Sequence, residues 1–245
     1  EGSHEGRVEF SCTGLGSGTI REMRMEVFLE ESSKEDRLMA HWNLDEEGTS
    51  GLEKRAKSVA YDGISGFDGI VYGNPAWINE GKVDGALLLD GVNDYIDLPS
   101  VWNPYYGKFS AFAWINGGDL GQVIISQRAD SLRGYGAIWL GIDSLEKKLM
   151  TGLSDRWVIM DLVSESEIPE NNWNHVGVVW DGARRHLYIN GEKAASDDAE
   201  LGQLLSSGGG LYFGADKDLS EGSFLSGILD DVRIEFNEEI IQTYR

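Results

Sequence analysis

The stretch HLYINGEKAA at residues 186–195 decides the fold class, because it describes two short strands joined by a tight turn. Asn190-Gly191 lies between the segments HLYI at 186–189 and EKAA at 192–195. Asn-Gly tolerates positive φ at both central positions, as a type I′ hairpin turn requires. The stretch therefore predicts a β-hairpin.

The same pattern extends outward along the chain. Asp181-Gly182 predicts a second turn just before the hairpin, and helical spacing occurs only in a short tail at 238–244. Further strands are predicted at 108–115, 174–180, 210–214 and 227–235. The sequence thus predicts an all-β, two-sheet antiparallel sandwich or jelly roll.

Residues 1–37 differ from the rest and are predicted to form an N-terminal extension, a remnant of a preceding domain or of a tag. Residues 22–30 alternate at period two and predict a strand, although their composition also suits a helix. Residues 30–37 are polar and predict a linker. The main domain is predicted to run from 38 to 245.

Composition limits the function. The chain has 245 residues, 41% of them apolar, and a single cysteine, Cys12, so neither an intrachain disulfide nor a thiolate metal cluster is expected. The net charge of −21 disfavours nucleic acid and anionic lipid, and no apolar run is long enough for membrane insertion. A neutral ligand, a basic partner or a divalent cation remains compatible with this charge.

Several segments, in order, resemble the laminin-G-like domains of the concanavalin A-like lectin/glucanase superfamily. They are the opening strand AHWNLDE at 40–46, the loop YDGISGFDG at 61–69, GALLLDGVNDYI at 85–96, WNHV at 173–176, LYING at 187–191 and GILDDVRI at 227–234. The likeness covers about 38–236 and implies a jelly roll of two sheets. Because this fold carries lectins, adhesion modules, hydrolases and lyases, it implies little about activity.

A structural calcium ion is the predicted cofactor. Related jelly rolls often hold one calcium ion between the opening strand, a neighbouring loop and an aspartate of the last strand, and Asp230 matches that aspartate by resemblance. Acidic turns supply the carboxylate and carbonyl oxygens that Ca²⁺ prefers, but aspartates also cap turns without any metal. The predicted metal ligands are Asp62, Asp90, Asp94 and Asp230.

A glycan is the predicted partner, since sugar rings pack on aromatic faces and polar neighbours bind the hydroxyl groups. The loop VWNPYYG at 101–107 combines aromatic residues with Pro and Gly and is expected to be exposed. The predicted ligand-binding residues are Trp102, Tyr105, Tyr106, Arg156 and Trp157, with Tyr135 and its neighbours as a second choice. The remaining tryptophans named by the pattern are assigned to the core: Trp42, Trp77, Trp114, Trp173 and Trp180.

Catalytic patterns are weak. The three-carboxylate strand of a retaining glycosidase is missing, because Phe28 lies between Glu26 and Glu30 where an acid is needed. His41 and His175 alternate with apolar residues and are interpreted as structural. No catalytic residue is therefore predicted.

The leading prediction is a non-catalytic carbohydrate-binding or adhesion module of a larger extracellular or cell-surface protein, with a neutral glycan as ligand. Residues Gly2-Ser3-His4 are compatible with a cloning remnant and a removed leader. Two alternatives stay open: a polysaccharide hydrolase or lyase of the same fold, and a structural module that binds a cell-surface protein.

Overall fold

The computed structural model describes residues 37–46, 59–130, 135–156 and 160–236. The strand predicted at 22–30, the linker at 30–36, the tail at 238–244 and Trp157 lie outside this part of the chain. The domain boundary at 37/38 stays a prediction, and the first described strand begins at Arg37.

The described chain forms sixteen strands and one short 3₁₀ turn. The strands are β1 (Arg37–Trp42), β2 (Val59–Ala60), β3 (Gly69–Tyr72), β4 (Ala76–Ile78), β5 (Ala86–Asp90), β6 (Tyr95–Asp97), β7 (Phe109–Gly117), β8 (Val123–Gln127), β9 (Ala137–Ile142), β10 (Lys148–Thr151), β11 (Leu162–Glu167), β12 (Asn174–Trp180), β13 (Arg185–Ile189), β14 (Glu192–Ser196), β15 (Leu211–Phe213) and β16 (Ser226–Phe236). The 3₁₀ turn is Pro104–Tyr106.

These strands build two antiparallel sheets, which confirms the predicted all-β sandwich. The first, sheet A, has the order β14-β13-β12-β7-β16-β5-β4, and β1 also pairs with β16. The second, sheet B, has the order β11-β10-β9-β8-β15-β6-β3-β2. In both sheets the central pairs join strands far apart in sequence, such as β7 with β16 and β8 with β15, as expected for a jelly roll.

The hairpin predicted at 186–195 is confirmed as β13 and β14. Asn190 and Gly191 have φ values of 54° and 83°, the positive pair that a type I′ turn needs. Asp181 accepts hydrogen bonds from the backbone N–H groups of Ala183 and Arg184, which explains the second predicted turn. Local turn chemistry therefore sets the register of β12, β13 and β14.

The core lies between the inner faces of the two sheets. On β7 every second residue is buried, from Phe109 to Ile115, while the intervening residues are half-buried on the outer face. Trp42 of β1 is fully buried, and its indole N–H donates to the carbonyl of Phe67 over 3.0 Å. The burial of a large apolar side chain contributes about 1.5–3 kcal/mol, so such residues account for most of the stabilisation.

The tryptophans predicted for the core divide into two groups. Trp42 and Trp180 are 0% and 3% exposed, as predicted. Trp77, Trp114 and Trp173 are half-buried instead. Trp114 differs because it occupies an outward position of β7, on the solvent side of sheet A.

Candidate functional site

A cavity of about 460 Å³ opens at one rim of the sandwich. Its walls come from the loop after β6, the segment after β10 and the connection between β14 and β15, and Tyr135, just before β9, adjoins them. The lining residues are Tyr105, Tyr135, Asp155, Arg156, Gly202, Gln203, Leu204, Leu205 and Ser206. We call this space the rim cavity.

The first wall is the aromatic loop, which folds around Asn103. The side-chain oxygen of Asn103 accepts hydrogen bonds from the backbone N–H groups of Tyr105 and Ser207, each over 3.1 Å. Its amide nitrogen donates to the Ser206 hydroxyl over 2.9 Å. One side chain thus caps the 3₁₀ turn and fastens it to the third wall, which leaves Tyr105 41% exposed.

The other walls are tied together by backbone pairing. Asp155 and Leu204 form an isolated antiparallel bridge, and Asp155 Oδ2 accepts from the N–H of Gly202 over 2.7 Å. The Gln203 amide donates to the carbonyl of Tyr105 over 2.9 Å. These contacts bring segments from three distant parts of the sequence to one rim.

The ligand-facing groups of the rim cavity are aromatic and cationic. Tyr105 is 41% and Tyr135 is 61% exposed, and the Arg156 side chain is also exposed. Asp155 is 3% exposed and is the one acidic side chain among the described lining residues. A glycoside hydrolase uses a pair of carboxylates. The cavity therefore offers stacking faces and hydrogen-bond donors and does not offer a carboxylate pair.

The structure brings Tyr105 and Arg156, two of the predicted ligand-binding residues, to this cavity together with the second-choice Tyr135. Tyr106 lies beside it, 41% exposed, with its ring edge-on to Tyr105 at 5.9 Å. Trp102 is placed differently from the predicted exposed position. It is 5% exposed and stacks on Phe236 at 4.1 Å, so its ring is not available to a ligand.

A buried ion pair supports the segment after β10. Arg185 is 2% exposed, and its guanidinium donates two hydrogen bonds to Asp197, over 3.0 and 2.7 Å. The same guanidinium donates to the carbonyls of Leu153 and Met160, which flank Arg156 in sequence. Arg185 therefore fixes the backbone on either side of a cavity residue.

The predicted metal ligands do not gather at one point. Asp62 accepts four hydrogen bonds, from the backbone N–H groups of His41, Ile64, Ser65 and Phe67, so both of its oxygens are occupied. Within the described residues, no group of three or more His, Cys, Asp or Glu side chains could hold a metal ion. Asp62 is a loop cap in this structure.

Asp90 and Asp94 shape the β5–β6 connection in the same way. Asp90 accepts from the N–H groups of Val92 and Asn93, and these bonds lower its pKa. Asp94 accepts from Asn74 over 2.7 Å and from Asp90 over 3.1 Å. Asp90 pairs with Ser226 in the β5–β16 register. Ser226 and Asp230 are four residues apart along β16, which separates Asp90 from Asp230 by about 13 Å.

Asp230 differs from the other three because one of its oxygens has no partner. The residue is fully buried, and Oδ2 accepts from the N–H groups of Lys82 and Val83 over 2.7 and 2.9 Å. Oδ1 is buried without a hydrogen-bond partner. Burial, with the nearby charges of Asp231 and Asp45 as smaller causes, raises the pKa of Asp230 to about 6.

Asp45 lies on the other side of the same turn, where Oδ1 accepts from the N–H of Gly85 over 2.8 Å. Two carboxylates thus accept hydrogen bonds from the 81–85 turn. Oxygen ligands from carboxylates, carbonyls and water are the set that Ca²⁺ takes. Asp230 and Asp45 supply carboxylate oxygens at this turn, whereas Asp62, Asp90 and Asp94 accept hydrogen bonds from other loops.

Sequence reasoning missed Asn103, Gln203 and Asp45. Asn103 precedes a proline inside the quoted aromatic loop, so its capping role has a local signal. Gln203 has none, because its partner is distant in sequence. Asp45 lies in the opening segment at 40–46, beside which the resemblance places a calcium ion, so the family likeness carries a signal for it.

With the geometry described, the chain can be compared with known proteins. A family model described as the concanavalin A-like lectin/glucanases superfamily matches residues 90–238, which is more than half of the chain. The chain belongs to this superfamily, as the resemblance predicted. No curated protein sequence matches the chain.

Solved structures share the fold at low identity. Domain 4 of AbnA, a GH43 extracellular arabinanase from Geobacillus stearothermophilus, in complex with arabinotriose, superposes with a TM-score of 0.54 at 18% identity over 83% of this chain and 94% of that domain. The sialidase of Trypanosoma rangeli in complex with sialic acid gives 0.56 at 14% identity, over 82% of this chain and 30% of that one. The binding domain of Paraclostridial Mosquitocidal Protein 1 gives 0.54 at 15% identity, over 82% and 48%. Among the described residues of this chain, no helix is long and apolar enough to cross a membrane.

Proposed function

We propose that the protein is a non-catalytic carbohydrate-binding module of an extracellular or cell-surface protein, and that the rim cavity holds a neutral oligosaccharide. The observation that carries the proposal is the meeting of exposed Tyr105 and Tyr135 with Arg156 around one cavity. Tyrosine rings stack on the C–H faces of a sugar, while Arg156 and backbone groups of the rim donate to hydroxyl oxygens. Solved structures of the same fold include a domain in complex with arabinotriose, which suggests a pentose or hexose oligomer as the first ligand to test.

A structural calcium ion completes the proposal. Asp230, Asp45 and carbonyl oxygens of the 81–85 turn would hold it, and the ion would compensate two facing carboxylates and fix that turn. The unpartnered buried oxygen of Asp230 supports this position. The ion has no part in sugar contact, since none of these residues lines the rim cavity.

Removal of the cavity tyrosines is expected to weaken glycan binding. Each single variant, Tyr105→Ala or Tyr135→Ala, should lower the affinity for the neutral glycans that the wild type binds. The expected loss is about tenfold or more, which corresponds to about 1.4 kcal/mol per variant. The measurement is a glycan array that includes arabinotriose, followed by titration calorimetry of each hit.

The matched control is Tyr61→Ala. Tyr61 is 59% exposed, much like Tyr135, and does not line the cavity, so this variant should bind as the wild type does. Absence of any bound neutral glycan, or equal loss in Tyr61→Ala and Tyr135→Ala, would contradict the proposed site.

A further inference from the structure

A second set of aromatic groups lies on the outer face of sheet A. Phe112 and Trp114 are outward residues of β7, His175 is outward on β12 and Tyr188 on β13, and all four are half-buried. We call these four residues the aromatic strip. None of them lines the rim cavity.

The rings of the aromatic strip form a continuous row across three strands. Trp114 lies 4.8 Å from His175, His175 stacks on Phe112 at 5.2 Å with nearly parallel planes, and Phe112 lies 6.2 Å from Tyr188. Three neighbouring strands span about 10 Å, so the row is long enough for more than one contact with a chain-like ligand.

Gly177 makes this row possible. It pairs with Phe112 in the β7–β12 register, and a side chain at this position would overlap the Phe112 ring. The missing side chain lets Phe112 lie over β12, between His175 and Tyr188. A glycine inside a strand costs stability and often marks a place where another group must approach closely.

Polar side chains of β1 and β16 adjoin the aromatic strip. Asp231 accepts a hydrogen bond from Arg233 over 3.1 Å, and its Oδ1 lies 2.5 Å from His41 Nε2. Arg233 pairs directly with Phe112 in the sheet register, so its side chain is next to the strip. The Nε of Arg233 is buried and has no hydrogen-bond partner.

The backbone at Asp231 is distorted in a way that creates this arrangement. The β7–β16 register shifts between Asp230 and Arg233, and Asp231 has a φ of 48°, which is rare for a residue other than glycine. Because of this bulge, the side chains of the two consecutive aspartates form hydrogen bonds in different directions. Asp230 bonds to the 81–85 turn, and Asp231 bonds to His41. Such strain concentrates at functional sites.

Exposed lysines lie at both ends of the row. Lys82 lies over the Trp114 ring at 4.7 Å, and Lys193 pairs with Tyr188 in the β13–β14 register. Arg233 is paired with Asp231, whereas neither lysine forms an ion pair with a described residue. A ligand that carries negative charge along an apolar ring surface is complementary to this face.

We infer that the outer face of sheet A is a second binding site and that its ligand is a carboxylated oligosaccharide of the uronic acid type. Sugar rings would pack on the aromatic strip, and the carboxylates would lie near Lys82, Arg233 and Lys193. This site is separate from the neutral glycan site proposed at the rim, so either can fail without the other.

The test is titration of the full chain with trigalacturonate and with its methyl ester, at constant calcium concentration and pH 7. The wild type should bind trigalacturonate at least tenfold more tightly than the ester. Trp114→Ala should weaken binding of trigalacturonate at least tenfold, whereas Trp114→Phe, which keeps a ring, should stay within about threefold of the wild type. Lys82→Gln, a change on an exposed side chain, should weaken it about threefold or more.

Tyr61→Ala is again the control and should leave trigalacturonate binding unchanged. Three results would overturn the inference: no binding by the wild type, equal affinity for acid and ester, or an affinity that Tyr105→Ala lowers and Trp114→Ala does not. The last result would assign the acidic ligand to the rim cavity. Neutral glycan binding, measured with the same proteins, reports separately on the rim.

Discussion

Replacement of Asp197 by alanine is expected to lower the free energy of unfolding by about 3–5 kcal/mol, because it leaves the guanidinium of Arg185 buried without a counter-ion. Arg185 is 2% exposed, and the Asp197 side chain is 9% exposed. Two parallel hydrogen bonds join them, and Nη1 of Arg185 donates to the carbonyls of Leu153 and Met160. Water cannot replace the lost carboxylate without opening this part of the core.

The measurement is urea unfolding of the wild type and the variant at pH 7. A surface ion pair provides the control: Lys147 Nζ lies 2.9 Å from Oε1 of Glu170, whose side chain is 64% exposed. Glu170→Ala should therefore change the free energy of unfolding by less than about 1 kcal/mol. The double variant Arg185→Met with Asp197→Leu should recover most of the loss, because it removes both buried charges. A loss below about 1 kcal/mol in Asp197→Ala would show that the pair is hydrated.

Local signals explain the parts of the fold that the sequence predicts. Asn190 and Gly191 require positive φ, which few residues tolerate, so the hairpin is visible without any tertiary information. The strand predicted at 108–115 is confirmed as β7, which pairs with β12 on one side and β16 on the other. The family resemblance supplies the sandwich as a whole.

The same signals do not show which way an aromatic ring points. Tyr105 and Trp102 are in one loop, yet Tyr105 lines the rim cavity and Trp102 stacks on Phe236 at the end of the last strand. The strand pattern at 108–115 assigns Trp114 to the core, whereas the structure places it, half-buried, on the solvent side of sheet A. Only the pairing of strands distant in sequence decides these cases.

The acidic turns show a related limit. An aspartate followed by glycine or serine has the same sequence signature whether it binds a cation or caps its own loop. Asp62 finds four backbone N–H groups and is satisfied by them. The two hydrogen-bond partners of Asp230 both belong to the 81–85 turn and both bind Oδ2, so Oδ1 has no partner. This arrangement depends on the packing of 81–85 against β16, which the local sequence does not show.

Replacement of Asp230 by asparagine is expected to have opposite effects with and without calcium. At pH 7 in chelator, the wild type buries a carboxylate whose Oδ1 has no partner, beside Asp231 and Asp45. Asparagine keeps an oxygen for the N–H groups of Lys82 and Val83 and removes the charge. The variant should therefore melt at or above the temperature of the wild type in chelator.

The pH dependence in chelator has a definite sign. The pKa of Asp230 is raised from the ordinary value of an aspartate to about 6, so its protonated form favours the folded state. This stabilisation is fully present below the ordinary pKa of about 4 and is lost as the pH rises through 6. The loss amounts to about 3 kcal/mol by pH 7, because one pKa unit corresponds to about 1.36 kcal/mol. In Asp230→Asn this part of the pH dependence should be absent.

Calcium should reverse the order of the two proteins. An ion held by Asp230, Asp45 and carbonyls of the 81–85 turn would stabilise the wild type by about 2.7 kcal/mol at a concentration one hundred times its dissociation constant, and Asp230→Asn should gain almost nothing. Asp90→Asn is the matched control, because Asp90 closes its own turn about 13 Å along β16 and should leave the gain intact. Thermal melts of the three proteins in calcium and in chelator, at pH 5 and pH 7, measure all of these effects. A wild-type melting temperature that does not respond to calcium, or an equal gain in Asp230→Asn, would mean that no calcium ion binds at Asp230.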